Sequence, residues 1–415
     1  MNVLILFRSL TICILLIFVF DAKAQKSLDY YLQNALKNSP IFVDNTNQIK
    51  SLTYDSLLIK ALLKPQVYLN SNVYLAPNIN GFGYDPAITN GGNLTALTSA
   101  SYTFIRKENL DNRFSSINIQ RMLIDLNSKL NERDLRQAVT SQYLMVFGQQ
   151  QQLEKLNEIT SLLYKEEIIL KKLTAASIYR QTDYLSFLVN LKQQELIYLQ
   201  QKNQIRNDVM LLNYLCGVQD TAYVNLSNPA ISINIPKPLE ENLAFYQYKL
   251  DSMKLMNVSD NIKYSYDPKF SIVGDAGFNS SFVSKGYKNF GASIGLNLIV
   301  PIYDGHQRQI QYDKISISDQ TRKEYATFYV KQAKIKNKQI IAQIEAIELI
   351  ATNAQDQFIL SKKLVDANGS LLESGDLRIS DFIIALSNYL ASQAFLTQLN
   401  NDKLQLINQY NFLNY

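Results

Sequence analysis

The chain has 415 residues and a formal net charge of +5, with only 19% charged residues and one histidine. A small, dispersed positive charge excludes the basic stripe of a nucleic-acid-binding protein. Glycine (14) and proline (9) are scarce, which argues against an all-β or loop-rich fold. The single histidine, His306, has no cysteine cluster to help it bind zinc, so we predict no metal site.

Residues 1–24 have the pattern of a secretory signal peptide. An almost wholly apolar segment covers Leu10 to Phe20, and Ala22-Lys23-Ala24 supplies the small-x-small cleavage pattern before Gln25. The alternative is an uncleaved anchor, but the apolar segment is shorter than the roughly 20 residues of a spanning helix. No later segment has roughly 18 consecutive apolar residues, so a mature chain that crosses a membrane must do so as closed β-structure.

The rest of the chain is predicted to contain two similar repeats, residues 25–217 and 239–415, separated by a connector at 218–238. Each repeat has the pattern of helix, strand, strand, very long helix, short tip and returning helix. In the first repeat these are helix 27–64, with a break expected at Asn38-Ser39-Pro40, strands 66–75 and 97–105, and helices 110–172 and 183–215. In the second they are helix 239–266, strands 269–279 and 289–300, and helices 307–372 and 381–410.

The two longest predicted helices set the fold class. A helix of this length, roughly 100 Å at about 1.5 Å per residue, cannot fold inside a compact core. It must pair along its length with the returning helix as an antiparallel coiled coil. The apolar seam of the first long helix comprises Val139, Tyr143, Val146, Leu153, Leu156, Ile159 and Leu163. We therefore predict a mixed α+β protein, mainly α-helical, with an internal two-fold repeat.

The strands of the second repeat show the clearest alternation of apolar residues with small or polar ones. Their apolar face is predicted to point outward and to contact lipid. Its residues are Phe270, Ile272, Phe290, Ile294, Leu296 and Leu298. The alternative is a water-soluble sheet that packs against helices.

The number of strands bears on the number of chains. Four strands cannot close into a barrel alone, and open strand edges in lipid leave backbone groups unsatisfied at several kcal/mol each. Two chains would supply about eight strands, the small end of known membrane barrels, whereas three would supply about twelve and an open bore. A membrane barrel built from this chain therefore favours three or more copies.

Two short segments carry a family resemblance. A strand is followed by proline, an apolar residue, an aromatic residue, aspartate and glycine in a strand-exit motif that includes Pro301, Tyr303, Asp304 and Gly305. The tip Ser374–Asp381 contains a glycine and ends with an aspartate at a helix start. Together with the duplicated order of elements, these segments resemble the TolC-like outer membrane efflux proteins over essentially the whole mature chain.

The resemblance implies a homotrimer whose four strands per chain form a shared twelve-stranded transmembrane β-barrel in the outer membrane of a Gram-negative bacterium. The long helices would form an α-barrel in the periplasm. The implied function is an exit duct that passively conducts substrates, without a cofactor. Its implied partners are outer membrane lipid, a periplasmic adaptor (membrane fusion) protein and an inner-membrane pump, proton-driven or of the ABC type.

In that family acidic residues line the periplasmic mouth, which the tips close. Asp381 falls on the first acidic position, but Ile384 occupies the second. The first repeat departs further, because Ile105–Leu110 replaces the strand-exit motif and Ala175–Tyr179 lacks glycine.

The tips of both repeats carry arginine, a hydroxyl residue and aspartate in the same order. The predicted tip site comprises Arg180, Thr182, Asp183, Gly375, Arg378, Ser380 and Asp381. One interpretation is helix capping, with the hydroxyl residues as caps and the carboxylates near the positive helix ends. The other is that Asp381 also faces the pore mouth, where like charges repel one another and attract cations. The arginines either pair with carboxylates of a neighbouring helix and hold the mouth closed, or are solvated.

The sequence does not contain the G-x-S-x-G, P-loop or H-E-x-x-H motifs, so we predict that the protein is not an enzyme. Two alternatives to an efflux duct stay open. One is the outer membrane component of a type I protein secretion system. The other is a periplasmic coiled-coil adaptor or scaffold, which would need a small β-domain beside one helical hairpin.

Overall fold

The computed structural model describes residues 25–220, 224–236, 238, 241–281 and 288–415. The predicted signal peptide lies outside these residues. The helices are α1 (Leu28–Asn38), α2 (Pro40–Ala61), α3 (Pro86–Thr89), α4 (Lys107–Ala175), α5 (Gln181–Leu215), α6 (Leu243–Ser265), α7 (Gln307–Ser374) and α8 (Ile379–Leu413). The strands are β1 (Gln66–Leu75), β2 (Gly92–Phe104), β3 (Lys269–Ser281) and β4 (Phe290–Ile299). The mixed, mainly helical fold class is confirmed.

Some elements differ from their predicted bounds. The helix predicted over 27–64 is divided at Ser39, whose extended backbone (ψ 123°) satisfies the restriction that Pro40 imposes. Strand β2 begins at Gly92 rather than at residue 97. Residues 92–96 lie outside the predicted strand, in a segment rich in asparagine, glycine and proline, but they pair with β1 as far as Leu75. Here the partner strand outweighs the local turn propensity.

The chain divides into two compact units. The sheet unit comprises Val43–Ser128 and Leu243–Tyr329, and the helical unit comprises Lys129–Asn242, Val330–Tyr415 and the residues up to Phe42. The predicted repeats are a different division of the chain, because each unit takes residues from both of them.

In the sheet unit, the strands form one antiparallel sheet in the order β1-β2-β3-β4. The register places Tyr68, Ser99, Asp275 and Ser293 opposite one another on one face. Because side chains alternate along each strand, the next residues lie on the other face. The central pairing joins β2 to β3, so it brings together strands from distant parts of the chain.

In the helical unit, apolar residues at three- and four-residue spacings form the core. All seven residues of the predicted seam on α4 are buried. One cluster lies around Tyr31, Tyr143, Ile205 and Leu212, and a second, at the helix tips, is described below. Each large side chain buried in this way contributes on the order of 1.5–3 kcal/mol.

Among the described residues, α8 is the one helix long and apolar enough to cross a membrane by length and composition alone. Its side chains Phe382, Ala385 and Leu386 are buried in the core of the helical unit. Only 28% of its apolar window is buried in the chain, and one such helix is weak evidence for a membrane span.

Candidate functional site

The two helix tips of the helical unit have the same backbone geometry. After α4 ends, Ser177 adopts a positive φ of 62°, and the amide of Ile178 donates to the carbonyl of Leu173 over 2.9 Å. After α7 ends, Gly375 adopts a φ of 80°, and the next amide donates to Leu371 over 3.0 Å. Both are left-handed helix caps of the kind that glycine favours. The serine therefore occupies the position of the glycine that the first tip lacks.

The capping residues of the returning helices differ from the prediction. The N-caps of α5 and α8 are Arg180 and Arg378, and neither side chain makes a capping hydrogen bond. Thr182 and Ser380 lie one residue inside the helices, so the prediction that they are the caps is wrong. A hydroxyl residue before an aspartate resembles a cap signal, but the residue with the extended backbone of an N-cap lies two positions earlier in each tip.

The aspartates of the tips lie in the first helical turns. Asp183 belongs to the first turn of α5 and Asp381 to that of α8. Carboxylates there are favoured by the free backbone amides and the helix dipole. The Ser380 hydroxyl lies 3.3 Å from Oδ1 of Asp381. This placement agrees with the electrostatic part of the capping interpretation.

The tips contact each other through Tyr179. Its hydroxyl donates to the carbonyl of Leu377 over 2.8 Å and lies 3.2 Å from the carbonyl of Leu372. At the same contact, a Cβ added to Gly375 would lie 2.8 Å from Cγ2 of Ile178. The glycine therefore meets two requirements, a positive φ and close approach of the first tip.

Behind the tips, a buried apolar cluster holds four helices together. The rings of Phe187 on α5 and Phe382 on α8 lie 6.4 Å apart. The buried members of this tip cluster are Ile159, Leu163, Leu170, Phe187, Leu191, Val365, Leu372, Ile379, Phe382, Ala385 and Leu386. Because α4, α5, α7 and α8 all contribute, a movement of one tip requires repacking of the others.

A cleft of about 760 Å³ lies between the two tips. Five of the predicted tip residues line it: Arg180, Asp183, Gly375, Arg378 and Ser380. Thr182 and Asp381 do not belong to the described lining. Among the described residues, neither arginine lies within ion-pair distance of a carboxylate, so arginine pairing within the chain is not observed.

Beside the tip cluster lies a buried carboxyl group that the sequence pattern did not bring out. Glu166 on α4 is 5% exposed, and its Oε2 has no hydrogen-bond partner among the described residues. Gly369 on α7 faces it, since a Cβ added there would lie 3.8 Å from Oε1 of Glu166. Burial raises the pKa of the Glu166 carboxyl above its usual value, and the charge of Glu373 raises it further.

The strand-exit residues organise the start of α7. Both carboxylate oxygens of Asp304 accept hydrogen bonds, from the backbone amides of Arg308 over 2.7 Å and of His306 over 3.0 Å. These hydrogen bonds hold the pKa of Asp304 below its usual value, and the bond from Arg308 contributes most. Gly305 adopts a φ of 62°, which the turn into the helix requires. Pro301 follows the end of β4, where it cannot donate to a strand ladder, and Tyr303 is exposed.

In the sheet unit, the two faces of the sheet differ in chemistry. The polar face carries asparagine, serine and threonine, among them Asn70, Thr95, Ser99 and Asn297. The opposite face carries the residues predicted to contact lipid. Of these, Phe270, Phe290, Ile294, Leu296 and Leu298 are exposed, with Ile294 84% exposed, and Ile272 is half-buried. Their contact with lipid stays a prediction, but they are not packed into the interior of the chain.

Comparisons with known proteins agree at the level of the fold. No protein-family model matches the sequence, and no curated protein matches it significantly. Three similar solved structures are the outer membrane protein VceC from Vibrio cholerae, CusC, and the CmeC outer membrane channel of Campylobacter jejuni. VceC is 12% identical with a TM-score of 0.74, and the match covers 93% of this chain and 96% of that one.

The other two similarities are of the same extent. CusC is 13% identical (TM-score 0.73; 94% and 92% of the chains), and CmeC is 13% identical (TM-score 0.70; 93% and 85%). The chain has the fold of TolC-like outer membrane channels. The resemblance stated from the sequence is thereby confirmed for the fold.

Proposed function

We propose that the protein is an outer membrane channel, the exit duct of a tripartite efflux or export system. The observation that carries this proposal is the sheet, which has a polar face and an exposed apolar face. A soluble sheet would cover that apolar face, since its exposure to water is unfavourable by about 25 cal/mol per Å². Lipid outside and water inside would satisfy both faces.

The edges of the sheet support a channel built from several copies of the chain. In the described residues, β1 and β4 each pair on one side only, and neither is closed by the other. In lipid these edges must find partners, because no water is present to satisfy the backbone. We propose a homotrimer, whose three copies would supply twelve strands and an open bore.

The tips are proposed to form the periplasmic mouth. Packed helices with two arrangements can act as a gate when a partner displaces them, and the tip contacts through Tyr179 and the buried cluster would resist that displacement. Asp381 is proposed to contribute negative charge at the mouth in each copy. A periplasmic adaptor and an inner-membrane pump would supply energy and selectivity, and the duct itself would need no cofactor.

The proposal is tested by isolating the full chain from its membranes. We expect a detergent-extracted trimer that dissociates on heating and that conducts ions across a planar lipid bilayer. A monomer in the osmotic-shock fluid would contradict the proposal and would favour a periplasmic adaptor or scaffold. A neighbouring gene for an ABC exporter would favour protein secretion over drug or metal efflux.

A further inference from the structure

The polar face of the sheet carries one carboxylate, Asp275, at the middle of β3. All the other residues of the four described strands are uncharged except Lys269, the first residue of β3. Lys269 lies six positions away, roughly 20 Å along the strand. Lys269 is on the same face but at the strand end, so Asp275 is the one charged residue of the described strands that lies away from their ends, near mid-height of the sheet.

The position of Asp275 is fixed by its neighbours. Ser99 of β2 and Ser293 of β4 lie opposite it, and the Ser293 hydroxyl donates to Oδ2 of Asp275 over 2.7 Å. The described ion pairs do not include Asp275, so no cation among the described residues neutralises its charge. At the strand ends, by contrast, Arg106 pairs with Asp267 over 3.4 Å.

We infer that Asp275 gives the barrel lumen a preference for cations. The inference rests on the proposed trimeric channel, in which the polar faces line the bore and three copies of Asp275 form one ring of negative charge. It identifies a selectivity residue in the barrel, separate from the tips. Neutral amides and hydroxyls on the rest of the face would leave this ring as the main fixed charge that a permeating ion meets between the strand ends.

The size of the effect follows from electrostatics in water. Three carboxylates about 10 Å from the axis would enrich a monovalent cation there roughly four-fold at 0.01 M salt. At about 0.1 M, where the screening length falls to about 10 Å, the enrichment would be about two-fold. A cation preference due to Asp275 is therefore strong in dilute salt and is lost in concentrated salt.

The test is the reversal potential of the purified oligomer in a planar bilayer, under a roughly tenfold KCl gradient in the 0.01–0.1 M range. The measurement uses an Asp381→Asn background, so that the tip carboxylate does not contribute. Adding Asp275→Asn should move the reversal potential towards zero. Asparagine keeps the shape of the side chain and can still accept the hydrogen bond from the Ser293 hydroxyl. Ser293→Ala keeps the charge and should leave the cation preference in place.

A gain-of-charge variant makes the test independent of any assembly defect. Asn297→Asp adds a carboxylate to the same face on β4 and should increase the cation preference. A conducting oligomer whose reversal potential is the same with and without Asp275→Asn, or with and without Asn297→Asp, would overturn the inference and leave the channel intact. An oligomer that does not conduct at all would instead contradict the proposed function, and the inference with it.

Discussion

Glu166 offers the most direct test of how the helix tips are held together. The carboxyl group is buried, and one of its oxygens has no partner among the described residues. A buried polar atom without a hydrogen bond costs about 1–3 kcal/mol. Replacing the side chain by leucine, which continues the apolar seam and faces Gly369, should raise the free energy of unfolding by about that amount.

The stabilisation by Glu166→Leu should depend on pH with a defined sign. Burial raises the pKa of Glu166 in the folded state, so the folded state binds the proton more tightly than the unfolded state does. Below the usual carboxyl pKa, both states are protonated and ionisation has no effect on stability. As the pH rises from there through the raised folded pKa, the wild type loses stability, because the folded state must bury a charge. The difference between variant and wild type should therefore grow towards neutral pH.

The assay is thermal unfolding of the purified protein, followed by the helical circular dichroism signal at a series of pH values from about 4 to 8. Glu166→Gln removes the charge but keeps the shape, so it should abolish the pH dependence while stabilising less than leucine. Glu345→Gln on the exposed surface of α7 is the matched control. It should change neither the stability nor its dependence on pH. A variant-to-wild-type difference that stays constant over this pH range would refute the burial of the Glu166 carboxyl group.

Three further predictions concern the sheet and the tips. Gly277→Ala should abolish the heat-dissociable oligomer in gel electrophoresis, because a Cβ at its φ of +152° would collide with the carbonyl oxygen of Ala96. A normal yield of oligomer would argue against the β2–β3 register. Tyr179→Phe removes the hydrogen bond between the tips, which is worth about 0.5–1.5 kcal/mol, and should speed hydrogen exchange at the tip amides. Exchange at wild-type rates would mean that this hydrogen bond does not restrain the tips. Asp381→Asn should lower the cation conductance of single channels, and unchanged selectivity would remove Asp381 from the pore mouth.

The fold was predictable wherever a periodic pattern decides the structure. The seam from Val139 to Leu163 is buried as its spacing requires, and the alternation in β3 and β4 correctly separated the two faces of the sheet. Boundaries that depend on partners were not predictable. Gly92 begins a strand because β1 pairs with it, and that pairing leaves no local mark in the sequence.

The tip geometry was predictable only in part. The matching sequences indicated both tips and both arginines, but Thr182 and Ser380 were predicted as caps because hydroxyl residues are favoured at the N-cap and arginine is not. Glu166 carried a signal that was available: Ile159, Leu163, Glu166 and Leu170 follow a four-three-four spacing, so the glutamate falls on the buried seam.

The pairing of β2 with β3 has a consequence for the order of folding. Leu97 lies opposite Gly277, so the central ladder of the sheet cannot form until the chain has been exported as far as β3, well beyond its midpoint. Contacts between residues so far apart in sequence form slowly, because a long loop must close first. During export the early hairpin of β1 and β2 would wait with an open edge, and a chaperone that covers that edge would prevent aggregation until β3 arrives.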